Sequence, residues 1–560
     1  MAQKTDKIEE KIERVIKELL DKFHVSIQLK DEQRTAIKNL LLGSDVLAVL
    51  PTGYGKSLIF QILVLVGKSA ESRTSALVIC PLKSIVRDQI EEARNLGISA
   101  GDVSEMSDND LRDSKFRLVF ASAEDALAER VKTVIKNRNS SIHNNLSAIV
   151  IDESHIVETW TGKREGGNAF REAFSRLSDL RSFSKAGTPM LALTGTADEK
   201  TQKIIKKTLL MRDPKLLVLS PNRTNLRISV LKCKKAVMID HLSWLIQLIK
   251  SKGIETPKTL IFCNGTMTDV ATLANFMLME LGKKAYSPEE SQNSENCIIG
   301  IYHSLTLEKY KERLVRAFKV GGKTRVAITT SALSMGVNFP DVRYVIHWGP
   351  PRNVLDYHQE SGLAGRDGKN ADVITLYHGQ QLSFCEEDVK DFVRTVDCYR
   401  VAAYKAFDRK ILPLHPSHAC CANCSKLCAC EDGECLFEIP PFEKEITNMT
   451  SANQTMNRPV SPSDKEDLIM ALKELANMFH PIVKQLMFNT TNDYEDNLVS
   501  EIVDKAHCIF TVRDVNVHFP LFSVHFALKI LEIFHEIFED IPNIDVIMEQ
   551  VLMTEQVKVV

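Results

Sequence analysis

The stretch that most constrains this chain is residues 50–57, which read Leu-Pro-Thr-Gly-Tyr-Gly-Lys-Ser. The apolar residues 46–50 predict a buried strand, and residues 58–63 suit the start of a helix. A glycine-containing turn between a strand and a helix N-terminus forms an anion site, because backbone N–H groups and the helix dipole act together there. The sequence therefore predicts a phosphate-binding loop, and the alternative is a chance glycine-rich turn.

Each polar or flexible residue of this loop suits the binding of a nucleoside triphosphate. Gly53 and Gly55 let the backbone approach the phosphates closely, and Thr52 precedes them. Lys56 is placed to reach the β- and γ-phosphates, and the Ser57 hydroxyl is placed to bind Mg²⁺. These five residues are the first candidate binding site.

The chain around the loop alternates strand-like and helix-like segments, which predicts an α/β fold. The first block contains five candidate strands, at residues 45–50, 76–80, 117–121, 148–151 and 190–193. A second alternation follows at about residues 226–380. An amphipathic helix at residues 5–23 precedes both and is expected to dock on the first block.

Two acidic residues, Asp152 and Glu153, directly follow the candidate strand at residues 148–151. At the tip of a buried strand, an aspartate can hold Mg²⁺ through water, and the next glutamate can polarise an attacking water. Adjacent acids in a loop are common, so a plain surface turn is the alternative. Their place beside a phosphate loop favours the catalytic interpretation.

Ordered motifs over about residues 20–430 resemble the RecQ family of superfamily 2 DNA helicases. They include Lys30 and Gln33 before the loop, Asp152-Glu153-Ser154-His155 and residues 193–197. The resemblance implies two tandem RecA-like lobes that couple ATP hydrolysis to 3′-to-5′ movement on single-stranded DNA and to duplex unwinding. It also implies ATP and Mg²⁺ as cofactors, and recognition of adenine by Lys30 and Gln33.

Residues 359–368 resemble the family's motif from the second lobe but differ from it at one position. The family has two arginines there, whereas this chain has Leu363 at the first place and Arg366 at the second. A guanidinium aimed at the γ-phosphate stabilises the transition state and couples hydrolysis to lobe closure. The resemblance gives this role to Arg366, and our hypothesis is that Leu363 weakens hydrolysis or its coupling to DNA.

The resemblance further implies that DNA crosses both lobes. Aromatic rings stack on bases, arginine binds phosphates, and hydroxyls and amides hold the nucleic-acid backbone. The residues assigned to this path are Ser122, Trp160, Arg171, Asn264, Thr329 and Thr330.

Cysteines are concentrated after the second lobe, with Cys398 followed by six more between residues 420 and 435. Thiolates in short Cys-x₂-Cys steps bind Zn²⁺ tetrahedrally. By resemblance the ligands are Cys398, Cys421, Cys424 and Cys428. Since Cys428 comes one residue later than the family spacing, Cys420 and Cys430 remain alternatives for the fourth ligand.

Charge is distributed unevenly within the net value of −2, since residues 438–560 carry −11 and residues 1–437 carry +9. The basic body fits single-stranded and duplex DNA as partners.

Helical patterns at residues 467–478 and 526–538 predict a small bundle without a recognisable winged helix, and leave a protein-binding role open. Thirteen cysteines without a signal peptide or a membrane-spanning run predict a reducing, intracellular compartment. Given the family resemblance, the expected location is the nucleus, or the cytoplasm if the chain is bacterial.

Six regions follow from these patterns: an N-terminal amphipathic helix (1–27), the first RecA-like lobe (28–219), the second lobe (220–380), a zinc-binding module (381–437), a linker (438–463) and an acidic helical region (464–560). Two rival functions remain. One is an RNA helicase of the same superfamily, and the other is a degenerate DNA-binding scaffold with weak ATPase activity.

Overall fold

The computed structural model describes residues 2–67, 74–81, 83–159, 172–290, 294–319, 321–333, 337, 339–428, 430, 440–444, 457–477, 493–519, 524–541 and 544. Two α/β lobes follow one another along the chain, each built on one parallel sheet. Among the helices of these residues, none combines the length and the apolar character needed to span a bilayer.

The first lobe contains a seven-stranded sheet. Its strands are β1 (Val46–Val49), β2 (Ser75–Ile79), β3 (Ala100–Asp102), β4 (Leu118–Ala121), β5 (Leu146–Ile151), β6 (Met190–Thr194) and β7 (Lys215–Val218). They lie in the order β3-β4-β2-β5-β6-β1-β7, with parallel pairing throughout. The central strands are apolar runs buried on both faces, as expected where helices cover both sides of a parallel sheet.

Helices pack on both faces of this sheet. They are α1 (Ala2–Phe23), α2 (Asp31–Leu41), α3 (Lys56–Val66), α4 (Lys83–Asn95), α5 (Asp108–Arg112), α6 (Ala123–Ala126), α7 (Glu129–Lys136), α8 (Ser141–Asn145), α9 (Ile156–Thr159), α10 (Asp179–Phe183) and α11 (Glu199–Thr208). The apolar stripe of α1, with Ile12 and Leu19 buried, joins the core of this lobe. Arg34 of α2 holds α1 in place, since its Nη1 lies 2.6 Å from carboxylate oxygens of both Glu9 and Glu13.

The second lobe contains a six-stranded parallel sheet. Its strands are β8 (Leu226–Lys232), β9 (Lys258–Cys263), β10 (Ile299–Tyr302), β11 (Val326–Thr329), β12 (Val342–Trp348) and β13 (Ala371–Tyr377), in the spatial order β10-β11-β9-β12-β13-β8. Its helices are α12 (Ser243–Lys252), α13 (Met267–Leu281), α14 (Glu308–Phe318) and α15 (Val354–Ser361).

Short helices and a helical bundle follow the second lobe. They are α16 (Glu387–Arg394), α17 (Tyr399–Tyr404), α18 (Ser417–Cys420), α19 (Ala422–Ser425), α20 (Pro441–Lys444), α21 (Pro462–Asn477), α22 (Asp493–Asp504), α23 (Val512–His518) and α24 (Val524–Phe538). The last four share a separate apolar core, and α23 contacts α13 of the second lobe. The described part of this region is helical, and α21 and α24 correspond to the two helical patterns of the sequence.

Residues at both ends of the predicted linker contact the neighbouring folded units. Glu443 of α20 accepts two hydrogen bonds from Arg227 on β8, at 2.7 and 3.1 Å. At the other end Arg458 is buried in the C-terminal bundle, with Nη2 3.0 Å from an Asp540 carboxylate oxygen and its guanidinium 4.2 Å from the Phe510 ring centre. Residues 445–456 lie outside the described part of the chain.

Candidate active site

The phosphate loop lies between β1 and α3, at the carboxyl edge of the first sheet. Two of its glycines have left-handed backbone conformations, with φ of 80° at Gly53 and 85° at Gly55. Residues with a Cβ rarely adopt such angles. A Cβ added to Gly55 would also stand 2.8 Å from Gln33 Nε2, so the Gln33 side chain would have to shift.

Two side chains contact the loop. Gln33 lies on α2, and Lys30 is the residue before α2. Gln33 Nε2 donates to the carbonyls of Tyr54 at 3.0 Å and Gly55 at 2.8 Å, and its Oε1 accepts from the Lys30 N–H at 2.8 Å. Lys30 Nζ lies 3.8 Å from the centre of the Tyr54 ring. Both amide hydrogens of Gln33 therefore bind the loop in this structure. Recognition of adenine would require these bonds to open, and it stays a prediction.

The acidic pair follows β5, which is separated from β1 by β6 alone. Lys56 Nζ lies 4.0 Å from Glu153 Oε1. Desolvation and the adjacent Glu153 charge raise the pKa of Asp152 to about 7. Desolvation also acts on Glu153, but the Lys56 charge and the Gly195 N–H outweigh it and hold the pKa of Glu153 below its usual value. The sheet order thus places an ionised glutamate beside the phosphate-binding lysine.

The loop after β6 supports the acidic pair from the other side. His155 Nδ1 and Thr194 Oγ1 lie 2.9 Å apart, and the Ser154 N–H donates to the Leu193 carbonyl at 2.7 Å. A Cβ added to Gly195 would stand 3.2 Å from Lys56 Nζ. Residues 193–197, which the sequence assigned to a separate motif, therefore contact both the acidic loop and the phosphate loop.

Gln89 on α4 is a contact that the sequence did not assign. Its Nε2 donates to the Ser57 hydroxyl at 2.9 Å, so it touches the residue expected to bind Mg²⁺. No local sequence pattern gave this side chain a role.

The second lobe contributes Arg366 to the same cleft, which has a volume of about 630 Å³. Arg366 Nε donates to the Gly362 carbonyl at 3.1 Å, and Nη1 donates to the Val337 carbonyl at 2.7 Å. Desolvation and the nearby Arg223 lower the pKa of Arg366 to about 10, so it remains charged at neutral pH. Residues lining the cleft include Thr52, Gly53, Gly55, Lys56, Ser57, Asp152, Glu153, Gln359 and Arg366.

Arg223, between the lobes, is a second contact without an assigned role in the sequence. Its guanidinium donates to the carbonyls of Gly362 and Gly365, on either side of Leu363. Leu363 itself is fully buried in the core of the second lobe and is not among the residues that line the cleft. Arg223 therefore holds the backbone of the segment that carries Arg366.

The residues assigned to DNA have mixed environments. Thr329 is fully buried and its hydroxyl donates to the Thr330 carbonyl at 2.8 Å, so this hydroxyl does not face a DNA path in this structure. Ser122 caps α6, accepting from the Asp125 N–H at 3.0 Å. Asn264 Nδ2 donates to the Gly349 carbonyl at 3.2 Å. Thr330 is partly exposed, and Trp160 and Arg171 lie outside the described residues.

The cysteines of the predicted zinc module form two groups. The sulfurs of Cys398, Cys420, Cys421 and Cys424 lie within 4.8 Å of one another. Cys398 Sγ is 3.6 Å from Cys420 Sγ and 4.0 Å from Cys421 Sγ. Cys428, the predicted fourth ligand, does not belong to this group. Cys428 follows α19 and lies beside His418, whereas Cys420 completes the first group from the end of α18.

Known protein families match both lobes. Residues 30–204 match the family model described as DEAD/DEAH box helicase, and residues 240–368 match the Helicase conserved C-terminal domain. These ranges contain the phosphate loop, the acidic pair and Arg366.

Individual relatives extend the likeness. The chain is 30% identical over 375 residues to the RecQ-like DNA helicase BLM of Xenopus laevis, covering 64% of this chain and 25% of the frog protein. It is 29% identical over 457 residues to a putative ATP-dependent DNA helicase Q1 of Caenorhabditis elegans, covering 79% and 67%. The chain thus spans a quarter of the frog relative's length.

The fold is also found in solved helicase structures. The DEAD-box helicase Mss116 bound to ssRNA and UDP-BeF superimposes with a TM-score of 0.51 at 16% identity, covering 91% of this chain and 87% of that one. Such a likeness establishes the two tandem RecA-like lobes. Independently of the fold, the two helicase domains and the RecQ relatives support a RecQ-family superfamily 2 helicase.

Proposed function

We propose that this chain is an ATP-dependent DNA helicase that moves 3′-to-5′ along single-stranded DNA and separates duplexes, forks or junctions in repair, recombination or replication. The cleft shared by the two lobes carries the proposal, because the phosphate loop and the acidic pair line it from one lobe and Arg366 from the other. A site completed by two lobes binds best when they close, so hydrolysis can be coupled to lobe movement.

The residues of the cleft fit ATP with Mg²⁺. The absence of a Cβ at Gly195 leaves space beside Lys56, where phosphates would lie. The Ser57 hydroxyl and the Asp152 carboxylate are hard oxygen donors, the ligand type that Mg²⁺ prefers. When bound, the ion would neutralise charge on the phosphates.

The chain's own side chains have distinct parts in this reaction. Lys56 would bind the β- and γ-phosphates, and Arg366 would place a second positive charge at the γ-phosphate. Glu153, held ionised by Lys56, would orient the attacking water and accept its proton. Single-stranded DNA would cross both lobes, with Thr330 as the described hydroxyl whose partial exposure best suits a backbone contact.

The proposal is tested by ATP hydrolysis with no nucleic acid, with single-stranded DNA and with single-stranded RNA of the same sequence. We expect the largest stimulation by DNA and no activity in Lys56→Ala. Stronger stimulation by RNA would favour an RNA helicase, and a rate equal to that of Lys56→Ala would favour a scaffold. Strand displacement from 3′-tailed and 5′-tailed duplexes then determines polarity, and only the 3′-tailed substrate should be unwound.

Replacing Leu363 with arginine should destabilise the protein instead of restoring a second finger. The substitution places a charge in the apolar core of the second lobe, where an unpaired charge costs about 3–5 kcal/mol. We expect a lower unfolding midpoint and no gain in ATP hydrolysis. Leu363→Met is the matched control and should cost less than about 1.5 kcal/mol. A faster Leu363→Arg enzyme of normal stability would instead support our sequence-based hypothesis about Leu363.

We further propose that Cys398, Cys420, Cys421 and Cys424 bind one structural Zn²⁺. Four sulfurs within 4.8 Å suit tetrahedral thiolate coordination. The site would connect α17 to α18 and α19. Arg400 of α17 is buried and donates to the Asn222 side chain at 2.6 Å and to the Cys420 carbonyl at 3.2 Å, which links this module to the connection between the lobes.

Cys424→Ser should remove one equivalent of zinc per chain and lower the unfolding midpoint, because structural zinc contributes directly to folding free energy. Elemental analysis of the dialysed full chain measures the metal, and calorimetry measures the midpoint. Cys297→Ser is the matched control, since Cys297 belongs to neither cysteine group. Equal zinc in both variants would contradict the four-cysteine site.

Three expectations of the sequence remain proposals. The first is the division into an N-terminal helix, two lobes, a cysteine module and an acidic bundle. The described residues 440–444 and 457–463 would then belong to the neighbouring units and not to a separate linker. A protein partner would suit the acidic bundle, whose charge disfavours DNA. Nuclear location would suit a DNA substrate.

A further inference from the structure

A second group of metal-binding side chains lies beside the four-cysteine group. It consists of His418, Cys428 and Cys430, whose ligand atoms lie within 4.8 Å of one another. His418 Nδ1 is 3.2 Å from Cys428 Sγ and 3.6 Å from Cys430 Sγ, and the two sulfurs are 3.2 Å apart. This group shares no ligand with the first.

The local fold explains how residues ten positions apart meet. His418 lies on α18, immediately before Cys420 and Cys421 of the first group. After α19 the Cys428 N–H donates to the Ser425 carbonyl at 3.2 Å, and this turn directs the chain back toward α18. The placement of α18 and α19 and this turn therefore bring the second group together without using a ligand of the first.

The distances and donor types suit Zn²⁺. Zinc–sulfur bonds of about 2.3 Å and zinc–nitrogen bonds of about 2.0–2.1 Å in a tetrahedron separate ligand atoms by roughly 3.5–3.8 Å. The observed separations of 3.2–3.6 Å are close to this range. A sulfur–sulfur distance of 3.2 Å is far longer than the roughly 2.05 Å of a disulfide. One imidazole and two thiolates are borderline-soft donors, which favour zinc over magnesium or calcium.

We propose that His418, Cys428 and Cys430 bind a second Zn²⁺, so that the module after the second lobe holds two metal ions. These three ligands come from the described residues, and a fourth donor, from water or from the protein, would complete the tetrahedron. Cys430 is exposed, whereas the residues of the first group are largely buried. The second ion would therefore exchange faster than the first.

The second ion would hold the segment after α19 against α18, which itself contacts the second lobe. Arg227 of β8 donates from Nε to the His418 carbonyl at 2.9 Å, while its other nitrogens bind Glu443. A metal bound by His418 and Cys428 would thus connect the segment after α19 to His418, whose carbonyl already accepts a hydrogen bond from β8. Its expected effect is to fix Cys428 and Cys430 against α18.

Zinc content of the full chain tests the proposal. After dialysis with a chelating resin, we expect two equivalents in the wild type, one in Cys430→Ser, one in His418→Ala, and two in the control Cys297→Ser. Cys424→Ser should also retain one, and Cys424→Ser combined with Cys430→Ser should retain none. One equivalent in the wild type that persists in both Cys430→Ser and His418→Ala would overturn the second site.

The two metal sites can fail independently. If the wild type holds one zinc that is lost in Cys430→Ser but kept in Cys424→Ser, the second site stands and the four-cysteine site is wrong. Release kinetics keep the test valid if a variant does not fold. A chromogenic chelator added to the native protein should release one equivalent quickly and one slowly. A single slow phase of one equivalent would contradict the proposal.

Discussion

Replacing Glu153 with glutamine should lower the turnover of DNA-stimulated ATP hydrolysis by about 10²–10⁴-fold while ATP binding is retained. Glutamine keeps the shape of the side chain but cannot accept a proton from water. The geometry supports this role, because Glu153 Oε1 lies 4.0 Å from Lys56 Nζ and the lysine charge favours the ionised carboxylate. Glu153 also has a φ of 48°, a strained conformation that is common at functional sites.

The matched control is Glu91→Gln, which removes an exposed carboxylate from the rim of the same cleft. It should change turnover by less than threefold, because Glu91 is not at the carboxyl end of β5. Turnover at saturating ATP and DNA measures the loss of hydrolysis, and equilibrium binding of a fluorescent ATP analogue measures the retained ATP binding. A Glu153→Gln enzyme within tenfold of the wild type would show that another group accepts the proton.

Arg366→Ala should lower turnover by about 10³–10⁵-fold, the range found for arginine fingers in phosphoryl transfer. The side chain is already held by the carbonyls of Gly362 and Val337, and it belongs to the opposite lobe from the phosphate loop. Arg366→Lys should rescue little of the loss, because an ammonium group cannot occupy both positions of the planar guanidinium.

Measurements other than turnover distinguish an arginine finger from an arginine that only stabilises the fold. In Arg366→Ala, DNA affinity and the unfolding midpoint should stay close to the wild type, while closure of the lobes on a non-hydrolysable ATP analogue should weaken. Arg394→Ala, an exposed arginine of α16, is the control and should retain full turnover. If Arg366→Ala unfolds early but hydrolyses ATP normally at low temperature, Arg366 is a packing residue only.

The sequence predicted the buried strands of the first lobe because their signal is local. The five predicted strands agree with β1, β2, β4, β5 and β6 within two residues at each end. The strands it missed have a weak pattern. β3 has three residues, one of them glycine, and β7 is an edge strand with three of its four residues exposed. Their positions depend on tertiary pairing and not on local hydrophobicity.

The residues of the candidate site also divide into those with a local sequence signal and those without one. Lys56, Asp152 and Glu153 were recognised because each belongs to a short motif next to a strand. The proximity of Cys428 to His418 was not predicted, because spacing alone cannot show that the chain turns back to His418 after α19. The burial of Leu363 and of Thr329 was likewise hidden, since both belong to segments that also contain exposed residues.

The position of β1 in the first sheet has a consequence for the order in which the site can form. The neighbours of β1 are β6 and β7, which appear more than 130 residues later in the chain. During synthesis at about 5–20 residues per second, β1 would therefore wait roughly 7 to 35 seconds for its partners to be synthesised. The nucleotide loop, although encoded early, would become ordered only when the first lobe is nearly complete, and a chain arrested before β6 should not bind ATP.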